Sequence, residues 1–309
     1  MLFRLYTSWS YWKHEVLTLD AFKEYMFFVG VAHSLRPLLK FTNIYQSIDI
    51  YFLPITLGVC AIITLFRKRP KGTVCYNIYG TDASIEIISG DLFKQSGAIV
   101  IPSNTSFDTE VNEQLISQNS IQGQFTKKIL FNDINSLNRD IDCQLKNIQC
   151  CGKRLSKVGG KNKLYKVGTT VEIKYNNNDD DKTTKYYLVA MADLNEFGIA
   201  STDNEKLVNA LNGLWEFIST KSSRPNIVNI PLLGTSFGRS NLKYYHTIIL
   251  IAISYIKNRL DCSFVNKVRI VILDDIFFAH YEEIQCIQPI IKEICQAPSL
   301  LNILSFETK

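Results

Sequence analysis

Four apolar runs, each closing on a polar or glycine-bearing turn, constrain this chain more than any other feature. Two lie in residues 84–112, SIEIISGDLFKQSGAIVIPSNTSFDTEVN. Residues 85–88 end at Gly90-Asp91, and the β-branched run 98–101 ends at Pro102, a pattern of strands buried in an α/β sheet. Residues 227–233, IVNIPLL, lead into Gly234-Thr235-Ser236-Phe237-Gly238-Arg239 and then an apolar helix, and residues 267–273 end at Asp274-Asp275. Ligands of open α/β sheets lie outside the carboxyl ends of the strands, which makes Asp91 and the Pro102-Ser103-Asn104-Thr105 turn candidate contacts. The turn after residue 233 is glycine-bearing and precedes a helix, so its backbone N–H groups can approach a phosphate, although an ordinary tight turn has the same composition. Combined with a carboxylate at Asp91 that can accept from an exocyclic amine, it suits an adenosine diphosphate moiety. The adjacent acids Asp274 and Asp275 point in opposite directions and suit a cap better than catalysis.

The 309 residues allow one substantial domain with an appendage, or two small domains. Composition divides them. The first 66 residues are aromatic and aliphatic with sparse charge, and the break falls at Arg67-Lys68-Arg69-Pro70-Lys71-Gly72. Much of the net charge of +5 sits in that cluster, so no basic, aromatic face for nucleic acid is indicated and a membrane flank explains the charge better. Residues 50–66, IYFLPITLGVCAIITLF, carry no charge. As a helix they reach roughly 25 Å, near the lower limit for crossing a bilayer; a buried core helix is the alternative. Residues 21–39 are marginal as a span, because Lys23, Glu24, His33, Arg36 and Pro37 interrupt them, and His33 and Arg36 either snorkel or line an assembly interface. Residues 1–20, with Trp9, Tyr11 and Trp12, lack a cleavable-signal pattern and read as an interfacial segment or an amphipathic partner helix. The expectation is a membrane region over 1–72, with spanning helices at about 21–39 and 50–66 and both ends inside, followed by an α/β domain over 73–309.

Within that domain the pattern predicts strands at 163–175 and 185–192, a polar helix at 132–151, and an amphipathic helix at 204–220 with Trp215 as a core anchor. A last helix at 282–294 is expected to break or kink near Pro289. The Asn-Asp run at 176–181 lacks the glycine and terminal glutamate of a calcium loop and reads as a hairpin tip. Eight cysteines form no CxxC pair and four histidines are scattered, so no metal site is expected; the adjacent Cys150 and Cys151 have no explanation. No serine or cysteine has a partnered base in a nucleophile-type turn.

Four segments taken together, GDLF at 90–93, IPSNTSFDT at 101–109, SIQGQF at 120–125 and PLLGTSFGR at 231–239, resemble the macro domain of membrane-bound Thoeris anti-phage effectors. A hydrophobic pair ahead of the domain is also that family's layout. The resemblance implies a three-layer α/β/α sandwich with a mixed central sheet behind a transmembrane hairpin. It implies a sensor rather than a hydrolase, without a cofactor. A partner TIR-domain enzyme would consume NAD and make an ADP-ribose-containing signal, here a histidine conjugate. Its binding would drive homo-oligomerisation and disruption of the bacterial inner membrane. Under the resemblance Asp91 accepts from the adenine amine, backed by Leu92 and Phe93. Ser103, Asn104 and Thr105, with Phe107 and Asp108 behind them, line the distal ribose and its substituent. Gly234, Thr235, Ser236, Phe237 and Gly238 hold the pyrophosphate, with Arg239 nearby. The chain departs from the pattern at Ser236, where such loops often have glycine. It also has only Asn104 where hydrolytic members pair two asparagines. A membrane-tethered ADP-ribosyl hydrolase and a passive reader of ADP-ribosylated proteins are the alternatives.

Overall fold

A computed structural model describes residues 12, 16–39, 51–68, 72–112, 115–130, 133–154, 159–176, 183–194, 200–233, 243–261, 264–299 and 301. It divides into two compact units, Met1–Gly72 with Phe278–Gln285, and Thr73–Phe277 with Cys286–Lys309.

In the first unit, α1 (Leu19–Leu39) and α2 (Phe52–Arg67) form an antiparallel pair. Charge and rings fix the pairing. Glu24, near the start of α1, meets Arg67 and Lys68 at the end of α2, while Arg36, near the end of α1, stacks over Phe52 at the start of α2, 5.3 Å from its centroid. The two helices stand where the apolar runs predict them, but the expected spanning hairpin is not found among the described residues. Among the described residues no helix is long and apolar enough to cross a membrane. The reason is local: Lys23, Glu24 and Arg36 lie within α1, and the 16 residues of α2 reach only about 24 Å. Much of the apolar surface is exposed, including Phe22 and Phe27 of α1 and Leu53, Ile62 and Phe66 of α2.

The second unit is built on a mixed sheet. Its strands are β1 (Thr73–Asn77), β2 (Ser84–Ser89), β3 (Ala98–Asn104), β6 (Thr170–Asn176), β7 (Thr183–Leu194), β8 (Ala200–Ser201), β9 (Ile227–Pro231) and β10 (Lys267–Ile272). The spatial order is β1-β2-β10-β9-β3-β7-β6, with β8 added to β7, and a separate small ribbon pairs β4 (Gly152–Lys153) with β5 (Lys163–Leu164). The contiguous strands β2, β10, β9, β3 and β7 are parallel; β1, β6 and β8 are antiparallel to their neighbours. The four apolar runs of the sequence are thus the central parallel strands, largely buried on both faces as their mostly apolar character requires, with Glu86, Asn229 and Arg269 as the polar interruptions.

Alternation along β7 places helices on the two faces. Tyr186, Leu188 and Ala190 join a cluster with Leu137, Ile141 and Leu145 of α4 (Ile134–Leu145), whereas Tyr187 on the opposite face meets Phe217 of α5 (Asn204–Thr220) edge-on. The result is the expected three-layer sandwich. Asp203 caps α5 by accepting from Lys206 N–H, and Trp215 is the core anchor predicted for it. The indole is buried against Tyr255 and Phe264 and donates to Ser254 Oγ at 2.9 Å. The backbone of α5 also comes close to the turn before β6, because Gly213 faces Gly168, whose φ of +93° places it in the left-handed region. Before α4, α3 (Ile121–Gln124) runs into a π-helical turn at Phe125–Ile129. The remaining helices are α6 (Tyr244–Asp261), α7 (Asp274–Ala279) and α8 (Tyr281–Gln296). α4 is shorter than the polar helix predicted from 132 to 151: Asp133 caps its start through Ser136 N–H, and it ends at Leu145. Pro289 lies inside α8, which is not broken there.

Candidate functional site

Because five neighbouring strands are parallel, their carboxyl ends share one edge of the sheet. Along it, in order, stand the turn after β2 with Asp91, the start of α7 after β10, the end of β9, the 103–109 loop after β3, and Asp193 near the end of β7. Asp91 and the strand that delivers the Gly234 loop therefore lie on the same edge, separated by β10. Gly234, Thr235, Ser236, Phe237, Gly238 and Arg239, the expected pyrophosphate loop, lie outside the described residues; β9 ends just before them at Pro231.

Asp91 is positioned by its own turn. Gly90 N–H donates to Ile272 O at 2.8 Å, tying the end of β2 to β10, and Asp91 Oδ1 accepts from Phe93 N–H at 3.0 Å, capping the single 3₁₀ turn Leu92–Lys94. One carboxylate oxygen is thereby used and the other has no protein donor among the described residues. Half-exposed at a strand end, it can accept an amine. Leu92 is buried in the core beneath the turn. Phe93 packs on the same cluster and borders a cleft of about 820 Å³ near the amino ends of β3, β7 and β9, away from the strand-end edge.

The 103–109 loop is held from within. Asn104 Oδ1 accepts from Ser106 and Asp108 N–H, both at 3.1 Å, and its Nδ2 donates to Asp108 Oδ2 at 3.0 Å. This is an Asx-type brace that winds the chain back on itself, and Phe107 inside it takes φ +52° with its ring fully buried edge-on to Tyr165. Asp108 is 1% exposed and fully engaged. Arg154 Nη1 donates to its Oδ2 at 2.8 Å, Lys161 N–H donates to its Oδ1 at 2.6 Å, and Gln122 Nε2 donates to its backbone carbonyl at 2.7 Å. Gly160 lies so close that a Cβ there would stand 2.5 Å from Asp108 Oδ1. Thr105 Oγ1 donates to Asp193 Oδ1, whose other oxygen pairs with Lys206 at 2.9 Å. Ser103 Oγ is buried without a partner among the described residues.

The expected distal-ribose residues thus divide by role. Phe107 and Asp108 are buried, and the side chain of Asn104 is engaged in the brace. Sequence reasoning missed Arg154, which arrives 46 residues after Asp108 from a segment with no periodicity and no motif. Gln122 was legible only as part of SIQGQF. Among the described residues no group of three or more His, Cys, Asp or Glu side chains is placed to hold a metal.

A mixed α/β/α sandwich whose parallel strands end on one edge is the architecture of a macro-domain-type protein. Residues 85–273 match the family model described as "Thoeris protein ThsA, Macro domain", and the chain belongs to that family. It is 24% identical over 238 residues to the Thoeris protein ThsA of Bacillus amyloliquefaciens (strain Y2), covering 74% of this chain and 75% of that one. Among solved structures it is similar to an Oceanobacillus iheyensis macrodomain with ADP (TM-score 0.42, 12% identity, 70% of this chain and 97% of that one). It is also similar to a Trypanosoma brucei macrodomain in complex with ADP-ribose (TM-score 0.41, 9% identity, 65% and 68%).

Proposed function

We propose that this protein is the sensor-effector of an anti-phage Thoeris system. Its macro domain binds an ADP-ribose-containing signal, a histidine conjugate made from NAD by a partner TIR-domain enzyme. Binding drives homo-oligomerisation, and the N-terminal helical unit then acts on the bacterial inner membrane. The observation that carries the reading is the shared strand-end edge, with a half-engaged Asp91 carboxylate at β2 and the β9 end two strands away. Membership of the ThsA macro-domain family supports the system. Exposed apolar side chains on both helices of the first unit support a lipid-facing or self-associating role. The occupied side chain of Asn104 and the sequestered Asp108 favour a sensor over an ADP-ribosyl hydrolase, since neither is left to hold or activate a water.

Calorimetry with ADP-ribose and its histidine conjugate tests the binding. Asp91→Asn is the informative variant, because an amide oxygen still caps the Leu92–Lys94 turn while the amide hydrogens confront the adenine amine. Binding is expected to weaken at least tenfold with little change in thermal stability; full affinity in Asp91→Asn, or no heat with either nucleotide, removes the proposal. Size measurement in detergent separates an effector, which grows on binding, from a passive reader, which does not.

A further inference from the structure

The geometry points to Arg154 as a receptor for an oxyanion carried by the ligand at the end remote from its adenine. This rests on the reading of the strand-end edge as a nucleotide site. A guanidinium presents two hydrogen-bonding edges, and the side-on edge, formed by Nε and Nη2, matches the two oxygens of a carboxylate or phosphate. In Arg154 only Nη1 is engaged, by Asp108 at 2.8 Å. Nε and Nη2 are both buried and without a partner among the described residues, on a side chain only 4% exposed. Buried donors are seldom left unpaired, and an entire unpaired fork on one cation is rarer still.

The fork is also held rigidly. Asp108, held by Lys161 N–H, Gln122 and Asn104, fixes the Nη1 side, and through Asn104 the pair is fastened to the end of β3. Three strand spacings, from β2 through β10 and β9 to β3, separate that end from the Asp91 turn, about 14 Å at the usual interval. A nucleotide with its base amine at Asp91 therefore brings its far end, not its base, towards Arg154. Asp108 balances one charge, so the guanidinium enters as a directional donor pair rather than as a bare cation. Nε and Nη2 are closed to solvent, so an oxyanion reaches them only as neighbouring residues make way. Ligands that carry one are expected to associate more slowly than those that do not.

A carboxylate and a phosphate share this chemistry, and the probes separate them. Affinity is measured for ADP-ribose, for ADP-ribose 1″-phosphate, and for an amino-acid conjugate of ADP-ribose as the free carboxylate and as the carboxamide. The expected result is a preference of tenfold or more for the carboxylate over the carboxamide, or for the 1″-phosphate over ADP-ribose. Arg154→Lys, which keeps the charge beside Asp108 and loses the fork, is expected to collapse that ratio to within about twofold. Should Arg154→Lys fail to fold, the charge-neutral pair Asp108→Asn with Arg154→Gln replaces it. A preference that survives both variants, or wild-type binding of ADP-ribose with no preference at all, overturns the fork while leaving the nucleotide site standing. Absence of binding by every probe overturns the nucleotide site and the fork together.

Discussion

At the scale of single residues, the Asp108–Arg154 pair decides most about the β3 loop. Taking two charges out of water is costly, and here the cost is offset by four hydrogen bonds to Asp108 side-chain and backbone oxygens. Asp108→Ala strands the Arg154 cation and frees Lys161 and Asn104, and is expected to destabilise the protein by about 3–5 kcal/mol, read by chemical denaturation. Removing both charges in Asp108→Asn with Arg154→Gln is expected to cost clearly less than Asp108→Ala alone. Trp215 is the other sensitive position. Trp215→Phe removes the donor to Ser254 and part of the ring volume, and a loss of about 2–3 kcal/mol is expected from the same measurement.

At the scale of elements, what the sequence revealed follows from how each element is stabilised. The central strands were legible because burial on both faces demands mostly apolar runs, and α5 was legible because one face is apolar at helical spacing. Asp91 was legible for the same reason, as the polar residue at a strand end. Arg154 was not, since a side chain delivered by a loop and fixed by a partner 46 residues earlier leaves no periodic trace. In the N-terminal pair apolar runs found both helices, while among the described residues charges lie inside α1 and α2 has 16 residues, so neither is long and apolar enough to cross a membrane. The contact between α5 and the turn before β6 was equally silent in sequence. A Cβ on Gly213 would stand 2.4 Å from Gly168 O, so Gly213→Ala must push the helix off that turn. A loss of about 1–3 kcal/mol is expected, against the small gain alanine gives in an open helix, and thermal unfolding decides the sign.

At the scale of the whole molecule, buried weak acids set the alkaline limit. Burial pushes the phenols of Tyr76 and Tyr186 up to about 12 and the thiol of Cys295 up to about 11, with Cys295 adding to the shift at Tyr76 and Tyr175 to that at Tyr186. Each is neutral in the folded protein over a range where the unfolded chain ionises. Their contribution is intact below about pH 9, shrinks as the unfolded thiol and then the phenols lose protons, and is gone by about pH 12. Denaturant midpoints at pH 8, 10 and 11 are expected to fall in that order, and a midpoint independent of pH over this interval contradicts the burial.

The order of the sheet has a temporal consequence as well. β10, from residues 267–272, lies between β2 and β9, so a strand near the end of the chain separates and joins pieces made much earlier. Until it leaves the ribosome, β1 and β2 have no link to the rest of the sheet through their parallel neighbour, and the two halves of the ligand edge cannot face each other. Long-range pairing of this kind also makes folding slow. Chains stalled near residue 260 are expected to retain no nucleotide, and release of the finished polypeptide to restore it. A binding edge assembled in this sequence is complete only when translation is nearly over.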